Sequence, residues 1–277
     1  MKTRFAPSPT GLLHLGNLYS ALQCQSWAKI HEAQLLLRIE DIDFTRCKPE
    51  FTSQMIEDLT WAGILFDGQI MYQSQRSALY QAALDELITM NVLYPCFCTR
   101  KQVSEHTINP KSSQLDTYPQ TCLRLNEKEQ AFRKQNEGFS WRLNSKRVQD
   151  ILGDDLFWRD DKQTKHTFSV VDDIGDVIIG RKDIQYSYHL VVVVDDAAQA
   201  ITHIIRGEDL RTSTPVHRVL QLLLGYDSPL YIHHKLIQDE RGARLAKSKS
   251  SPSLKSLRDA GLSQQNIFER IKKASLS

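Results

Sequence analysis

Nowhere in its 277 residues does the chain stay apolar for the ~20 residues that a bilayer-spanning helix needs. The N-terminus lacks a basic region followed by an apolar stretch, so no signal peptide and no membrane partner are expected. Neither GxGxxG nor GxxxxGK[ST] occurs, which excludes the two commonest phosphate-binding turns. Cysteine is sparse: five residues, an odd number, two of them at C-x-C spacing. That usage points to a reducing, cytoplasmic compartment and raises the question of a metal rather than a disulfide framework. Charge of one sign is also lacking, with a net charge of only +2. Yet 41% hydrophobic and 25% charged residues are ordinary for a folded chain and exclude disorder. The small net charge hides an uneven spread, because residues 241–277 carry +7 and the remainder −5. A basic tail on a slightly acidic body suits contact with nucleic acid, and equally a solvated basic helix.

The chain is organised around Arg4 to Asn17, RFAPSPTGLLHLGN. Phe5 and Ala6 can sit in a short buried strand, and Pro7 and Pro9, either side of Ser8, stiffen the loop that follows. Gly11 permits positive φ. Helical spacing then starts at Leu15 and continues through Leu18, Leu22, Trp27 and Ile30. A helix N-terminus after a first strand offers backbone N–H groups to phosphate. His14 can bond a phosphate oxygen, and Gly16 leaves a flat surface for a ring. H-x-G-x alone is a weak signal, since a surface histidine beside a glycine is common.

Gln34–Ile39 (QLLLRI) reads as a second buried strand ending in the acidic run Glu40-Asp41-Ile42-Asp43. Carboxylates there face the crevice where open α/β sheets bind ligands, and Glu40 can pair with a substrate ammonium. An ordinary polar loop is the plainer reading. Helices are expected over residues 49–62, with Pro49 in the first turn, and over Arg76–Asn91, with Leu79, Ala83, Leu84 and Leu87 on one face. Alternating strands and helices predict a parallel sheet. Cys96, Cys98 and Cys122 form a soft set suited to zinc, with Tyr118 or His106 as a fourth ligand. Three unlinked thiols are as common at such spacing, and Cys24 and Cys47 read as ordinary thiols. Residues 100–185 are less regular, with strands expected at Ser140–Leu143 and Thr167–Val171. The four valines before Asp195 must be buried, in a sheet or a packed helix. Thr214–Leu224 is a helix closed by Gly225, and Leu230–Ile237 a last strand. Helix starts at Ser253 and Ser263 and a stop at Gly261 mark the tail.

RFAPSPTG followed by HLGN resembles the first signature of class I aminoacyl-tRNA synthetases, in the glutamyl branch, and RIEDIDFTR is similar to the same branch. Residues 242–248 (GARLAKS) resemble the second signature, a lysine loop, with Lys247 at the key lysine, Arg244 for the first lysine and Ala246 for the serine. The resemblance implies an α/β, Rossmann-like parallel sheet split by an insertion, with a short helical C-terminal segment. The expected parts are residues 1–94 and 186–240 as two halves of a nucleotide-binding domain, 95–185 as a zinc-bearing insertion, and 241–277 as lysine loop and basic tail. It implies a glutamate pocket from Arg4, Phe5, Ala6, Pro7, Ser8, Glu40, Tyr188 and Arg206. Planar guanidinium groups suit the two carboxylates. A structural ion pair of Arg206 with Glu208 or Asp209 is the bland alternative. It further implies catalytic roles for His14, Gly16, Asn17 and Lys247, with ATP and magnesium bound at His14, Gly16, Arg244 and Lys247, the lysine neutralising departing pyrophosphate.

C-x-C…Y-x-x-x-C is similar to the zinc site of short, queuosine-modifying relatives, which assigns Cys96, Cys98, Tyr118 and Cys122 as ligands. Glutamyl-tRNA synthetases continue into an anticodon-reading helical domain, whereas this chain ends soon after the lysine loop. The expected reaction is glutamate activation by ATP without tRNA, then transfer to queuosine in tRNA(Asp), by a monomer. No general base is evident for the transfer, which leaves the substrate's own phosphate oxygen. Charging of tRNA(Glu) by a truncated synthetase and a silent RNA-binding paralogue are the competing readings.

Overall fold

The computed structural model describes residues 1–99, 101–103, 118–237 and 252–276. It divides into two compact units: Met1–Gln75, Ala200–Thr212 and Pro229–Ser277 form the first, Arg76–Gln199 and Ser213–Ser228 the second. The units differ from the expected parts.

In the first unit, β1 (Lys2–Phe5), β2 (Gln34–Ile39) and β3 (Met71–Tyr72) form a parallel sheet in that order, with Arg4 opposite Leu36. Strands β10 (His203–Gly207) and β11 (Leu230–His234) pair in parallel. The Thr202 N–H donates to the Lys2 carbonyl at 3.0 Å. The Cys24 thiol meets both the Arg4 and the Ile205 carbonyls at 3.7 Å. The two strands β1 and β10 therefore run side by side in the same direction. Helix α1 (Leu15–Ile30) links β1 to β2, and α2 (Pro49–Trp61) links β2 to β3, with proline in its first turn.

The buried stripe of α1 differs from the expected one. It is Leu15, Leu18, Ala21, Cys24 and Ala28, whereas Ile30 is 76% exposed and Leu22 and Trp27 are only partly buried. Small residues in the stripe let the helix lie close on the strands, and burial pushes the Cys24 thiol up to about 12. Gly11 stays outside the positive-φ region, so the loop turns without using that freedom. Two tail helices, Leu254–Asp259 and Gln264–Leu276, send Leu254, Leu257, Ile267 and Ile271 into the same core. Ser253 caps the first, and Gly261 at φ +83° separates them, as expected.

In the second unit, α3 (Ser77–Thr89) buries Tyr80, Ala83, Leu84 and Leu87; Leu79, expected on that face, is 48% exposed. Strands β4 (Leu93–Cys96), β5 (Ser140–Leu143), β8 (Ile178–Arg181) and β9 (Gln185–Tyr186) form an antiparallel sheet, and β6 (Phe157–Arg159) with β7 (Lys165–Thr167) a hairpin. The strand expected at Thr167–Val171 is not formed. Its start ends β7, and Val170–Ile174 is a wide helical turn capped by the Ser169 hydroxyl, which buries Val170 and Ile174 four residues apart. The valine run is a helix, Tyr188–Ala198, capped by Ser187, with all four valines buried. A second helix, Thr214–Leu223, closes before Gly225 at φ +66°. Fully buried Asp195 accepts from Arg76 Nε at 2.7 Å and from the Tyr80 hydroxyl at 2.9 Å. That bonding ties α3 to the valine helix within the second unit. Among the described residues, no helix is long and apolar enough to cross a membrane.

Candidate active site and metal centre

His14 is the N-cap of α1, and Asn17 completes a reciprocal cap. The Asn17 N–H donates to His14 Nδ1 at 3.3 Å, and the His14 N–H donates to Asn17 Oδ1 at 3.2 Å. An Nδ1 that accepts carries no proton, so the neutral ring holds its proton on Nε2. This makes the imidazole a donor at its outer edge, next to the helix N-terminus and Gly16. The tail reaches the same place: Ser253 forms an antiparallel bridge with His14, and the Leu254 N–H donates to the Leu13 carbonyl at 2.7 Å. Arg244, Ala246 and Lys247 lie outside the described residues, in the segment between buried Ile237 and this bridge.

The loop of Phe5, Ala6, Pro7 and Ser8 is stitched to the end of β2. The Glu40 N–H donates to the Pro7 carbonyl at 3.0 Å, and the Lys48 N–H to the Pro9 carbonyl at 3.2 Å. The acidic run divides by role. Asp41 accepts from the Ser74 N–H and hydroxyl at 2.8 and 2.7 Å. Asp43 accepts from Thr45 and Arg46; burial opposes ionisation there, but those bonds hold its carboxyl below the usual range. Glu40 is buried and accepts from Arg38 Nη2 at 3.3 Å.

Arg4 and Arg206 are each only 5% exposed, on the adjacent strands β1 and β10. Arg206 Nε donates to His233 Nε2 at 3.4 Å, and its guanidinium lies 5.3 Å from the Tyr231 ring centre. Glu208 accepts from the Leu236 N–H at 3.5 Å. Asp209 packs so close to Gly207 that an added Cβ would sit 2.6 Å from its carboxylate. Arg4, Arg206 and Glu40 are thus buried charges on β1, on β10 and at the end of β2, all within the first unit.

Tyr188 belongs to the second unit, at the start of the valine helix. Its ring lies 5.5 Å from that of buried His217, whose Nε2 is 3.2 Å from His189 Nδ1. It lines an open cavity of about 1120 Å³ together with His189, Arg142, Arg181 and Cys98.

Cys96, Cys98 and Cys122 present sulfurs within 4.8 Å of one another. The Tyr118 hydroxyl lies 3.3 Å from both Cys96 and Cys98 sulfurs and accepts from the Cys122 N–H at 3.1 Å. His106 lies outside the described residues. Hydrogen bonding from Cys96 holds Cys122 down to about 6, and the same bond, with burial, pushes Cys96 up to about 12. Three soft sulfurs and one oxygen converging on one point can hold a metal ion.

Several of these partners carry little sequence signal. Asn17 three residues after His14 is a capping-box spacing, and Arg38 stands out as a charge inside an apolar strand. His233 has no such mark.

The family described as "tRNA synthetases class I (E and Q), catalytic domain" matches residues 1–277. A glutamyl-Q tRNA(Asp) synthetase of Rhodobacter capsulatus is 36% identical over 96% of this chain and 98% of the relative. That of Thiobacillus denitrificans is 38% identical over 94% and 82%. The glutamate–tRNA ligase of Aquifex aeolicus is 34% identical over 97% of this chain but only 56% of the relative. Among solved structures, the glutamate tRNA ligase of Elizabethkingia meningosepticum in complex with its amino acid has the same fold. It has a TM-score of 0.73 and 24% identity, over 95% of this chain and 53% of that one. With signature loop, strand ends and relatives in agreement over nearly its whole length, the chain belongs to the class I tRNA synthetases of the glutamyl and glutaminyl branch, in the family of the glutamyl-Q tRNA(Asp) synthetases.

Proposed function

We propose that the protein is a cytoplasmic ligase that activates L-glutamate with ATP, without tRNA, and transfers the glutamyl group to queuosine in the anticodon of tRNA(Asp). The observation that carries this reading is the pair of buried arginines on β1 and β10, with Glu40 at the end of β2. Arg4 and Arg206 bind the two carboxylates, and Glu40 takes the ammonium. Phe5 to Ser8 form the pocket floor against β2.

ATP lies over the start of α1, at Gly16. His14 donates from Nε2 to a phosphate oxygen, and Asn17 fixes the ring that does so. Magnesium accompanies the phosphates. Lys247, aided by Arg244, neutralises the departing pyrophosphate. Lys247 precedes Ser253, which bridges His14, by six residues. The glutamyl-adenylate's own phosphate oxygen takes the proton of the attacking diol.

Cys96, Cys98, Tyr118 and Cys122 hold one structural zinc ion. Metal–sulfur bonds of about 2.3 Å imply tetrahedron edges of about 3.8 Å. The Cys98–Cys122 separation of 3.5 Å is already close to this.

The acceptor is tested by incubating the protein with ATP, labelled glutamate and either queuosine-containing tRNA(Asp) or tRNA(Glu). The label is expected in the anticodon stem-loop of tRNA(Asp) and is lost when the diol is first cleaved with periodate. Label on the 3′ end of tRNA(Glu) instead would show a truncated glutamate–tRNA ligase.

A further inference from the structure

The metal cluster has a fifth participant. Arg142 sits on β5 directly opposite Tyr94 of β4, so Cys96, two residues further along β4, is its diagonal neighbour on the same face. The pairing of β5 with β8 shifts register between Trp141 and Arg142, an irregularity of the kind that re-aims a side chain. The result is a buried guanidinium with three engagements. Nε donates to the Cys96 sulfur at 3.2 Å. Nη1 donates to the Asp176 carbonyl at 2.7 Å. The guanidinium carbon lies 3.9 Å from the centre of the Tyr118 ring. One side chain thus touches a ligand from the strand arm and a ligand from the returning arm of the site.

We propose that Arg142 is a positioning residue of the metal centre, holding Cys96 and Tyr118 as a joint ligand pair and offsetting the charge they bring. Three thiolates and a phenolate around a divalent ion leave two surplus negative charges in a largely buried place. Anions of that kind need a compensating partner. The guanidinium supplies one positive charge that no change in working pH removes. Its N–H withdraws electron density from the Cys96 sulfur, and its face fixes the tilt of the phenol ring. The Asp176 carbonyl holds the guanidinium in that orientation. The inference rests on the reading that these four residues bind zinc.

The test compares wild type with Arg142→Gln and Arg142→Lys, using zinc content, zinc release to excess chelator and the spectrum of the cobalt(II)-substituted protein. Partners of metal ligands typically contribute ten- to a hundredfold in metal affinity. Arg142→Gln is expected to release zinc at least about tenfold faster. Its sulfur-to-cobalt charge-transfer band should move to lower energy, because a thiolate without its donor is easier to oxidise. Arg142→Lys keeps the charge but not the planar face, and should fall between the two. It also serves as the variant that folds if the glutamine protein does not. Arg159→Gln is the control. Arg159 lies 5.1 Å from the Phe157 ring centre and its Nη1 donates to the Gln163 carbonyl at 2.9 Å, contacts within the β6–β7 hairpin that involve no ligand, so release and spectrum should stay at wild-type values. The proposal is overturned if both Arg142 variants keep wild-type release and spectrum, or if Arg159→Gln matches Arg142→Gln. A wild-type protein that takes up neither zinc nor cobalt overturns the metal reading itself, and the proposal with it.

Discussion

His14 has two separable tasks at two ring atoms, and substitutions that keep one atom at a time should separate them. Nδ1 caps α1 by accepting the Asn17 N–H, and in the proposed function Nε2 carries the proton offered to phosphate. Asparagine places its carbonyl oxygen where Nδ1 stands, two bonds from Cβ. Glutamine reaches toward Nε2 instead. Removing a cap costs about 0.5–2 kcal/mol, so His14→Ala should be less stable by about 1 kcal/mol. For units of this size that is a fall of about 2–4 °C in Tm. His14→Asn should melt within about 1 °C of wild type, since asparagine is among the best caps. Both should lose about 10²–10³-fold in glutamate-dependent ATP–pyrophosphate exchange, the usual loss of a preorganised transition-state donor. His14→Gln should show the reverse, a lowered Tm with more exchange activity than His14→Asn. The measurements are thermal melts and exchange rates on the same preparations. Wild-type exchange by His14→Asn, or equal melting of the alanine and asparagine proteins below wild type, would refute the division of labour.

Leu254 is fully buried at the point where the tail meets the signature loop, so Leu254→Ala should destabilise by about 2–5 kcal/mol, read from denaturant midpoints. Arg206→Lys keeps a charge but loses the planar fork. It should raise the KM for glutamate roughly ten- to a hundredfold, with little change in the KM for ATP. His234 is hydrogen-bonded to Ser20 at 2.6 Å, and burial lowers its pKa. The unfolded chain therefore takes up the proton first as pH falls below about 6.5, and stability drops until the folded pKa is passed. His234→Gln should flatten that part of the profile between pH 8 and pH 5.5, measured by chemical denaturation.

The parallel-sheet architecture was legible because its strands are short apolar runs next to turn residues. Gln34–Ile39 folds as written in that sheet, and Ser140–Leu143 does so in the antiparallel sheet. The valine run was ambiguous, as periodicity cannot separate a buried strand from a buried helix; the Ser187 cap and the packing of Asp195 decide it. Thr167–Val171 misled for the same reason: β-branched residues suggest a strand, but Ser169 bonds Asp172 and closes a turn. In α1 and α3 the large residues Ile30 and Leu79 suggested the wrong edge of the buried face, because Ala28 and Tyr80 fill the space against the neighbouring elements. The converging cysteines and Tyr118 could be named from spacing and resemblance. Arg142 could not, since its role depends on a strand register 46 residues from Cys96. His233 is likewise a partner set by the sheet rather than by any motif.

The central claim is that the ends of β1, β2 and β10 form a pocket for one acidic amino acid beside ATP. It is tested most directly by ATP–pyrophosphate exchange with the full chain, without tRNA, in the presence of glutamate, glutamine or aspartate. The account predicts exchange with glutamate and little with the other two. Absence of exchange with glutamate, or equal exchange with glutamine, would contradict it.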